Sequence, residues 1–274
     1  MTLVKLTNRA VIKICGTDRS KFLQGLISND TNKIDKNKLL YGLMLTPQGK
    51  YFCDLFLWEC EDCVFIDCPA DQASALKQKL NMYKLRSDVA ITPSEYMVYA
   101  AIQTPDEERA NKFQDPRHPE LGYRLYESTE LEQNSFEQYN NHRIELGIPE
   151  HGHDLIPDKS IPLECHLEKL GAIDWDKGCY MGQELTARTN YRGLVRKCLF
   201  PVKFTNRLSS GAIITDEHNK KVGEVFSVGN EHGIAMIRIA ACDSKLTSDS
   251  STIEVIKPGW LRTWLSEKQA ELKE

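Results

Sequence analysis

Apolar residues recur at helical spacing in two segments of the chain. They are Phe22, Leu23, Leu26 and Ile27 in the first segment and Ala75, Leu76, Leu80 and Tyr83 in the second. A residue that can cap a helix precedes each segment: Thr17 or Asp18 for the first and Asp71 for the second. The spacing therefore predicts two short helices, each with one apolar face.

Runs rich in β-branched and aromatic residues predict strands. Tyr51–Trp58 and Val64–Asp67 form a predicted hairpin with a tight turn at Glu61 and Asp62. The polar stretch 103–138 shows no clear periodicity. The mixture of helices and strands places this part of the chain in the α+β class.

The chain after Val195 is predicted to be almost entirely strand. Turn-forming clusters separate short apolar segments, which are Cys198–Thr205, Gly211–Thr215, Lys221–Val228, Gly233–Ile239 and Thr252–Ile256. This pattern is typical of a small antiparallel β-barrel or sandwich. We therefore expect an α+β region over residues 1–196 and a C-terminal β-barrel with its tail over residues 197–274, with the boundary at Lys197.

Composition limits the class of protein. Of the 274 residues 41% are hydrophobic, yet no apolar run approaches the roughly 18 residues that a membrane-spanning helix needs. The N-terminal segment carries Lys5, Arg9 and Lys13 and lacks the apolar stretch of a secretory signal. We expect a soluble, cytoplasmic protein with no membrane partner. The net charge of −4 argues against broad binding to nucleic acid, so any basic site must be local.

The nine cysteines are expected to be reduced thiols, because an odd number cannot pair completely within one chain and no secretory signal is present. Cys60-Glu61-Asp62-Cys63 has the spacing of a redox pair or of half a zinc site, but a matching second C-x-x-C is missing. We favour a structural interpretation, in which Cys60 and Cys63 flank the hairpin turn. Cys53 and Cys68 are then small apolar strand residues.

Two further motifs resemble sites only in part. His151-Gly152-His153-Asp154 and Cys165-His166 could supply metal ligands, but their irregular spacing in a loop favours surface or capping histidines. Gly42 and Gly49-Lys50 invite comparison with a phosphate-binding loop, yet six residues separate the glycines instead of four. A turn at Pro47-Gln48-Gly49 between two strands accounts for these residues better.

The segment Lys177–Glu184, with the sequence K-G-C-Y-M-G-Q-E, carries the strongest chemical signal. Helix-forming residues follow it, and a helix that starts near Tyr180 would direct free backbone N–H groups and its positive end at Cys179. Together with Lys177, this favours the thiolate form of Cys179, which is the reactive form of cysteine. The alternative is a glycine-capped turn in which Cys179 only fills space. The residues alone leave both interpretations open.

A basic segment follows the octapeptide. Arg188, Arg192, Arg196 and Lys197 place four positive charges over ten residues with no acid among them, and Tyr191 lies within the segment. A solvated basic face is the favoured explanation. An anion subsite or a small RNA footprint is the alternative.

The octapeptide resembles the K-G-C-Y-x-G-Q-E signature of YgfZ-type proteins, the folate-binding relatives of the glycine cleavage T-protein. Other pieces of the chain agree with that family in the same order. They are Gly16–Leu26 with Ser28–Asp30, Leu45–Lys50 with Asp54, Arg143–Pro149, and Arg188 with Tyr191–Gly193. The resemblance covers most of the chain.

This resemblance implies a T-protein-like folate-binding domain followed by a small β-barrel. It also implies a role in the assembly or repair of iron–sulfur proteins and, through one of them, in tRNA modification. Glu145 falls where the T-protein family places its pterin-binding carboxylate, whose two oxygens can accept N–H bonds from the pterin edge. The other residues assigned to folate binding are Asp54, Tyr180, Gln183 and Arg192.

We therefore expect a tetrahydrofolate-binding accessory protein with Cys179 and Lys177 as its reactive residues. Cys179 would face a transient iron–sulfur cluster, and further ligands would come from a partner, because one thiolate cannot hold a cluster alone. The expected partners are reduced folate and iron–sulfur proteins or their assembly factors.

Two alternatives remain open. In an aminomethyltransferase, Asp54 would steer the folate nitrogen, although Cys53-Asp54 stands here where the transferases carry two adjacent acids. In an RNA-binding module, the segment Arg188–Lys197 would contact RNA.

Overall fold

The computed structural model describes residues 3–104, 109–132, 134–191, 193 and 195–271. The chain forms two compact units. Met1–Tyr139 and Leu170–Gln183 make the first, and Asn140–Lys169 and Glu184–Glu274 make the second. This division follows spatial contacts, whereas the boundary expected at Lys197 follows the change in composition. None of the described helices is long and apolar enough to cross a membrane.

The first unit contains two antiparallel sheets. Its strands are β1 (Leu3–Lys5), β2 (Arg9–Cys15), β3 (Leu40–Leu45), β4 (Tyr51–Cys60), β5 (Cys63–Pro69), β6 (Ala90–Pro93), β7 (Met97–Ala101), β8 (Lys112–Gln114) and β9 (Tyr123–Glu127). One sheet has the order β1-β7-β9-β8, and the other has the order β3-β4-β5-β2-β6. The predicted hairpin is confirmed: β4 and β5 are joined by Glu61 and Asp62, both at positive φ as a two-residue type I′ turn requires. The turn predicted at Pro47-Gln48-Gly49 likewise joins β3 to β4.

Helices α1 (Arg19–Gln24) and α2 (Ala73–Lys84) confirm the two amphipathic segments. Their apolar faces pack on one side of the β3-β4-β5-β2-β6 sheet, where Leu23 and Leu76 are fully buried in the same cluster as Ile66. Cys53 and Cys68 belong to that cluster, as expected of small apolar strand residues. The cap predicted for α2 is wrong: Gln72 occupies that position, and its carbonyl accepts the first helical bond, from the N–H of Leu76.

The opposite side of the same sheet carries a buried network of charges that the sequence did not predict. Asp67 lies between two arginines, accepting from Nε of Arg9 at 2.6 Å and from Nη1 of Arg124 at 2.7 Å. Arg124 also binds Asp115, which accepts from Arg117 at 2.8 Å. Burial alone would raise the pKa of Asp115, but Arg117 and Arg124 hold it well below its ordinary value. The charges compensate one another and join the two sheets of the unit.

The second unit is built on the predicted barrel. Its strands are β10 (Lys197–Phe204), β11 (Ile213–Thr215), β12 (Lys221–Val228), β13 (His232–Arg238), β14 (Leu246–Ser248) and β15 (Ser251–Val255). They close in the order β10-β13-β12-β11-β14-β15, and all neighbours are antiparallel. The sequence missed β14 and the final helix. The remaining helices are α3 (Phe136–Glu145), which runs from the first unit into the second, α4 (Gln183–Tyr191) and α5 (Gly259–Glu271).

Two expectations about cysteine and histidine are wrong. Cys15 and Cys63 form a disulfide, because antiparallel pairing of β2 with β5 places them directly opposite each other, with 4.4 Å between their Cα atoms. His166 is not a surface residue: it is 2% exposed and lies edge-on to the rings of Phe200, Trp260 and Trp264.

Candidate functional site

The first six residues of the octapeptide, Lys177–Gly182, form a loop in which two exposed residues lie between two buried ones. Lys177 and Tyr180 are buried, whereas Gly178 and Cys179 between them are exposed. The two buried residues also contact each other, with the Lys177 Nζ 5.3 Å from the centre of the Tyr180 ring. The thiol of Cys179 is therefore accessible to solvent, and a buried side chain lies on each side of the exposed dipeptide.

Lys177 holds this loop on the last residue of α1 and the segment that follows it. Its Nζ donates to the backbone oxygens of Gln24 at 2.8 Å, Ile27 at 2.6 Å and Asn29 at 2.8 Å. An ammonium group has three donors, and these carbonyls accept from all three. Burial lowers the pKa of Lys177 to about 8, against the opposing effect of Asp30 and Asp174. In this structure Lys177 anchors the loop, while its predicted part in reactivity stays a prediction.

Further contacts fix the ends of the loop. The N–H of Met181 donates to the oxygen of Gly25 at 3.1 Å, and the N–H of Asp174 donates to Ser28 at 3.1 Å. Gly182 has a φ of +82°, and a Cβ on it would lie 2.6 Å from the oxygen of Thr46. Only glycine fits there without displacing backbone. Three separate pieces of the resemblance, the segments 25–30, 45–50 and 177–184, thus meet at one place.

Helix α4 begins at Gln183 and not near Tyr180, so the predicted helix start beside Cys179 is wrong. The positive φ of Gly182 turns the chain before the helix. Gln183 is half-buried at the first position of α4, and Arg188 is exposed on the same helix. Arg192 lies outside the described residues.

Glu145 ends α3 in the second unit. Its side chain is 56% exposed, and one carboxylate oxygen lies 4.0 Å from Nδ1 of His232. The neighbouring Arg143 is buried and donates to Asp154 at 2.8 Å and to the oxygen of Ile148 at 3.1 Å. Arg143 therefore fixes the end of the helix, and the carboxylate of Glu145 faces outward.

Asp54 has a different environment. It is buried in the first unit, and its Oδ1 accepts from Nη1 of Arg9 at 3.0 Å and from the hydroxyl of Tyr51 at 2.9 Å. The contacts hold the carboxylate inside the network of charges that joins the two sheets. The arrangement favours a structural role for Asp54.

Sequence and structure comparisons agree with this architecture. Residues 196–263 match the family model described as the CAF17 C-terminal beta-barrel domain. The structure is similar to the glycine cleavage system aminomethyltransferase T from Bartonella henselae, with a TM-score of 0.76 over 93% of this chain and 84% of that one. At 14% identity this likeness shows the fold, and it confirms the predicted T-protein architecture with a C-terminal barrel.

The sequence relatives are named iron-sulfur cluster assembly factor IBA57, mitochondrial. The Mus musculus protein is 32% identical, with 96% of this chain and 86% of that protein covered. The Homo sapiens protein is 28% identical over 85% of this chain and 76% of that protein, and the chain spans 53% of the Neurospora crassa homologue at 32% identity. The expected cytoplasmic location is contradicted by these relatives, all of which are named as mitochondrial. With a T-protein fold and this identity over nearly its whole length, the chain belongs to the family of IBA57 iron–sulfur cluster assembly factors.

Proposed function

We propose that this protein acts in mitochondrial iron–sulfur cluster assembly by presenting Cys179 to a cluster and by binding a reduced folate. The observation that carries the proposal is the exposure of Cys179 between the buried anchors Lys177 and Tyr180. A loop held by three charge-assisted hydrogen bonds keeps a thiol in one place without covering it.

The cluster is the cargo of this reaction, and Cys179 supplies one thiolate to it. Among the described residues no group of three or more histidine, cysteine or acidic side chains is placed to hold a metal ion. A cluster needs several thiolate or imidazole ligands, so the remaining ligands come from an iron–sulfur partner, a second copy or a small thiol. Support of tRNA modification through an iron–sulfur enzyme would be an indirect result.

Glu145 fits the role of the pterin carboxylate. Its carboxylate is exposed and can accept two N–H bonds from the edge of a pterin. Bound tetrahydrofolate would supply a carrier for one-carbon units. Tyr180 and Gln183 remain candidate contacts, whereas Asp54 does not fit, because a pterin would have to replace Arg9 or Tyr51 at its carboxylate.

The pairing of Asp54 also weakens the alternative of an aminomethyltransferase. That reaction would require the carboxylate to steer a folate nitrogen, and here it accepts from Arg9 inside the sheet. The RNA-binding alternative rests on exposed residues such as Arg188 and Lys197. Lys197 lies 3.6 Å from the carboxylate of Glu164, which reduces its availability to phosphate.

The folate proposal is tested by calorimetric titration with tetrahydrofolate. Glu145→Ala should weaken binding by about tenfold to 150-fold, the loss of one charged hydrogen-bond acceptor. Glu137→Ala, an exposed acid on the same helix, is the matched control and should bind normally. An unchanged dissociation constant for Glu145→Ala would remove Glu145 from the site.

The cluster proposal is tested in cells that lack their own IBA57 factor. The wild-type gene should restore the activity of iron–sulfur enzymes, and Cys179→Ser should not, while keeping its folate affinity. Cys242→Ser removes a buried thiol and serves as the control. Full activity with Cys179→Ser would show that the octapeptide is only a turn.

A further inference from the structure

Three cysteines lie in one row across three neighbouring strands of the first unit. Cys63 on β5 is directly opposite Cys15 on β2, and on its other side it is directly opposite Cys60 on β4. Residues paired in this way point to the same face of a sheet. Cys15 and Cys63 are joined by a disulfide, and Cys60 carries a free thiol.

The row has the arrangement that thiol–disulfide exchange requires. A thiolate attacks one sulfur of a disulfide from the side opposite the sulfur that leaves. Cys63 is on the central strand, so the attacking sulfur of Cys60 and the leaving sulfur of Cys15 lie on its two sides. The two-residue turn of Glu61 and Asp62 fixes the β4–β5 register, which keeps Cys60 opposite Cys63.

The two outer cysteines of the row, Cys15 and Cys60, are both partly accessible, and Cys60 is the one that carries a free thiol. The residue is half-buried and lines an open cleft of 680 Å³ together with Lys36, Glu59, Glu61 and Asp62. Cys63, by contrast, is 6% exposed. Burial and Glu61 raise the pKa of Cys60, and Lys13 opposes them, so the thiol is mostly protonated at neutral pH.

We propose that Cys15, Cys63 and Cys60 form a thiol–disulfide exchange site that takes dithiols as its substrate class, with Cys60 as the entry residue. The Cys60 thiolate attacks the sulfur of Cys63. A Cys60–Cys63 bond forms, the Cys63–Cys15 bond breaks, and Cys15 leaves as a thiolate that takes up a proton.

An external dithiol completes the reaction. One of its thiolates attacks Cys60 and releases Cys63, and its second thiolate then releases Cys60. The dithiol is oxidised to a disulfide, and the protein disulfide is reduced to two thiols. This site is separate from the Cys179 loop and gives the protein a second sulfur chemistry.

The test uses the full chain isolated without reductant and treated with dithiothreitol at pH 8. Samples are quenched with iodoacetamide at intervals, and disulfide-linked peptides are mapped by mass spectrometry. In the wild-type protein we expect two isomers, Cys15–Cys63 and Cys60–Cys63. Reduction should be at least about tenfold slower in Cys60→Ser, since the free thiol that exchanges with Cys63 is gone. Cys179→Ser, which removes an exposed thiol outside the row, should be reduced at the wild-type rate.

Two results would overturn the proposal. One is a single Cys15–Cys63 bond in the wild-type protein together with an unchanged rate of reduction in Cys60→Ser. Another is an air-exposed protein in which Cys15 and Cys63 are both free. The mapping of isomers in the wild-type protein does not depend on the folding of any variant.

Discussion

The ammonium nitrogen of Lys177 lies over the ring of Tyr180, 5.3 Å from its centre, and so the two residues that flank Gly178 and Cys179 brace each other. Both side chains are buried. The exposed dipeptide Gly178-Cys179 is therefore flanked on both sides by buried residues that contact each other. The Cys179 thiol therefore lies at the surface between two anchored residues, as the proposed presentation of this thiol to a cluster requires.

Removal of the Lys177 ammonium group should destabilise the first unit. We expect Lys177→Met to lower the free energy of unfolding by about 3 kcal/mol or more, because three backbone carbonyls lose a charged donor. Urea denaturation measures this change. Lys38→Met, at an exposed position in the same unit, should be nearly neutral. Equal stability of the two variants would mean that Lys177 does not anchor the loop.

Cys179 should be the first cysteine to react with an alkylating agent. It is exposed, whereas Cys53, Cys68, Cys165 and Cys198 are buried, and burial raises the pKa of each of those four thiols. Brief labelling near pH 7 followed by peptide mapping ranks the sites, and we expect Cys179 to lead by at least about tenfold. Faster labelling of any buried thiol would contradict this order.

The buried His166 should make stability sensitive to acid. Burial lowers its pKa from the ordinary value of 6.5 to about 3. Between these pH values the unfolded chain binds a proton at His166 that the folded chain does not. The contribution of neutral His166 to folding stability is therefore present above pH 6.5 and is lost as the pH falls. At pH 5 the loss is about 2 kcal/mol, or 1.4 kcal/mol per pH unit.

The variant His166→Phe isolates this effect, because it keeps a ring and cannot titrate. Denaturation at pH 7 and at pH 5 should give a smaller difference in this variant than in the wild type. Glu168 acts in the opposite direction in both proteins. Burial raises its pKa from 4.5 to about 7, so the folded protein loses stability as the pH rises from 4.5 to 7. An identical pH dependence in the two proteins would rule out His166 as the source.

Breaking the buried charge network should lower the free energy of unfolding more than breaking an exposed ion pair does. Arg9→Met leaves Asp54 and Asp67 with fewer donors, and we expect a loss of about 3–5 kcal/mol in the free energy of unfolding. Lys221→Met, which removes an exposed pair with Glu224 at 3.0 Å, is the control and should change little. A small effect of Arg9→Met would show that Arg124 alone neutralises Asp67.

The limits of helices and strands could be predicted from the sequence where local signals determine them. The strand Lys221–Val228 has the predicted limits, because alternation of buried residues and flanking turns both mark it. Helix α5 was missed although Leu261, Trp264 and Leu265 are buried at helical spacing, and that spacing was the available signal.

Contacts between distant residues could not be predicted. The carbonyls that bind Lys177 are 148 to 153 residues away from it along the chain. The disulfide depends on the register of β2 with β5, which no local pattern reveals. Arg9 belongs to a charge network whose other members include residues of β4, β5 and β9. Its burial therefore follows from the strand topology and not from its neighbours in sequence.

The discontinuity of the first unit has a consequence for biosynthesis. Residues 140–169, which belong to the second unit, leave the ribosome before the loop that carries Cys179. Lys177 follows Ile27 by 150 residues, which at ordinary rates of translation corresponds to roughly 8–30 s. During that interval the carbonyls of Gln24, Ile27 and Asn29 have no ammonium donor. In a nascent chain the Cys179 loop therefore cannot be anchored until the second segment of the first unit, Leu170–Gln183, has been synthesised and has packed against the first segment.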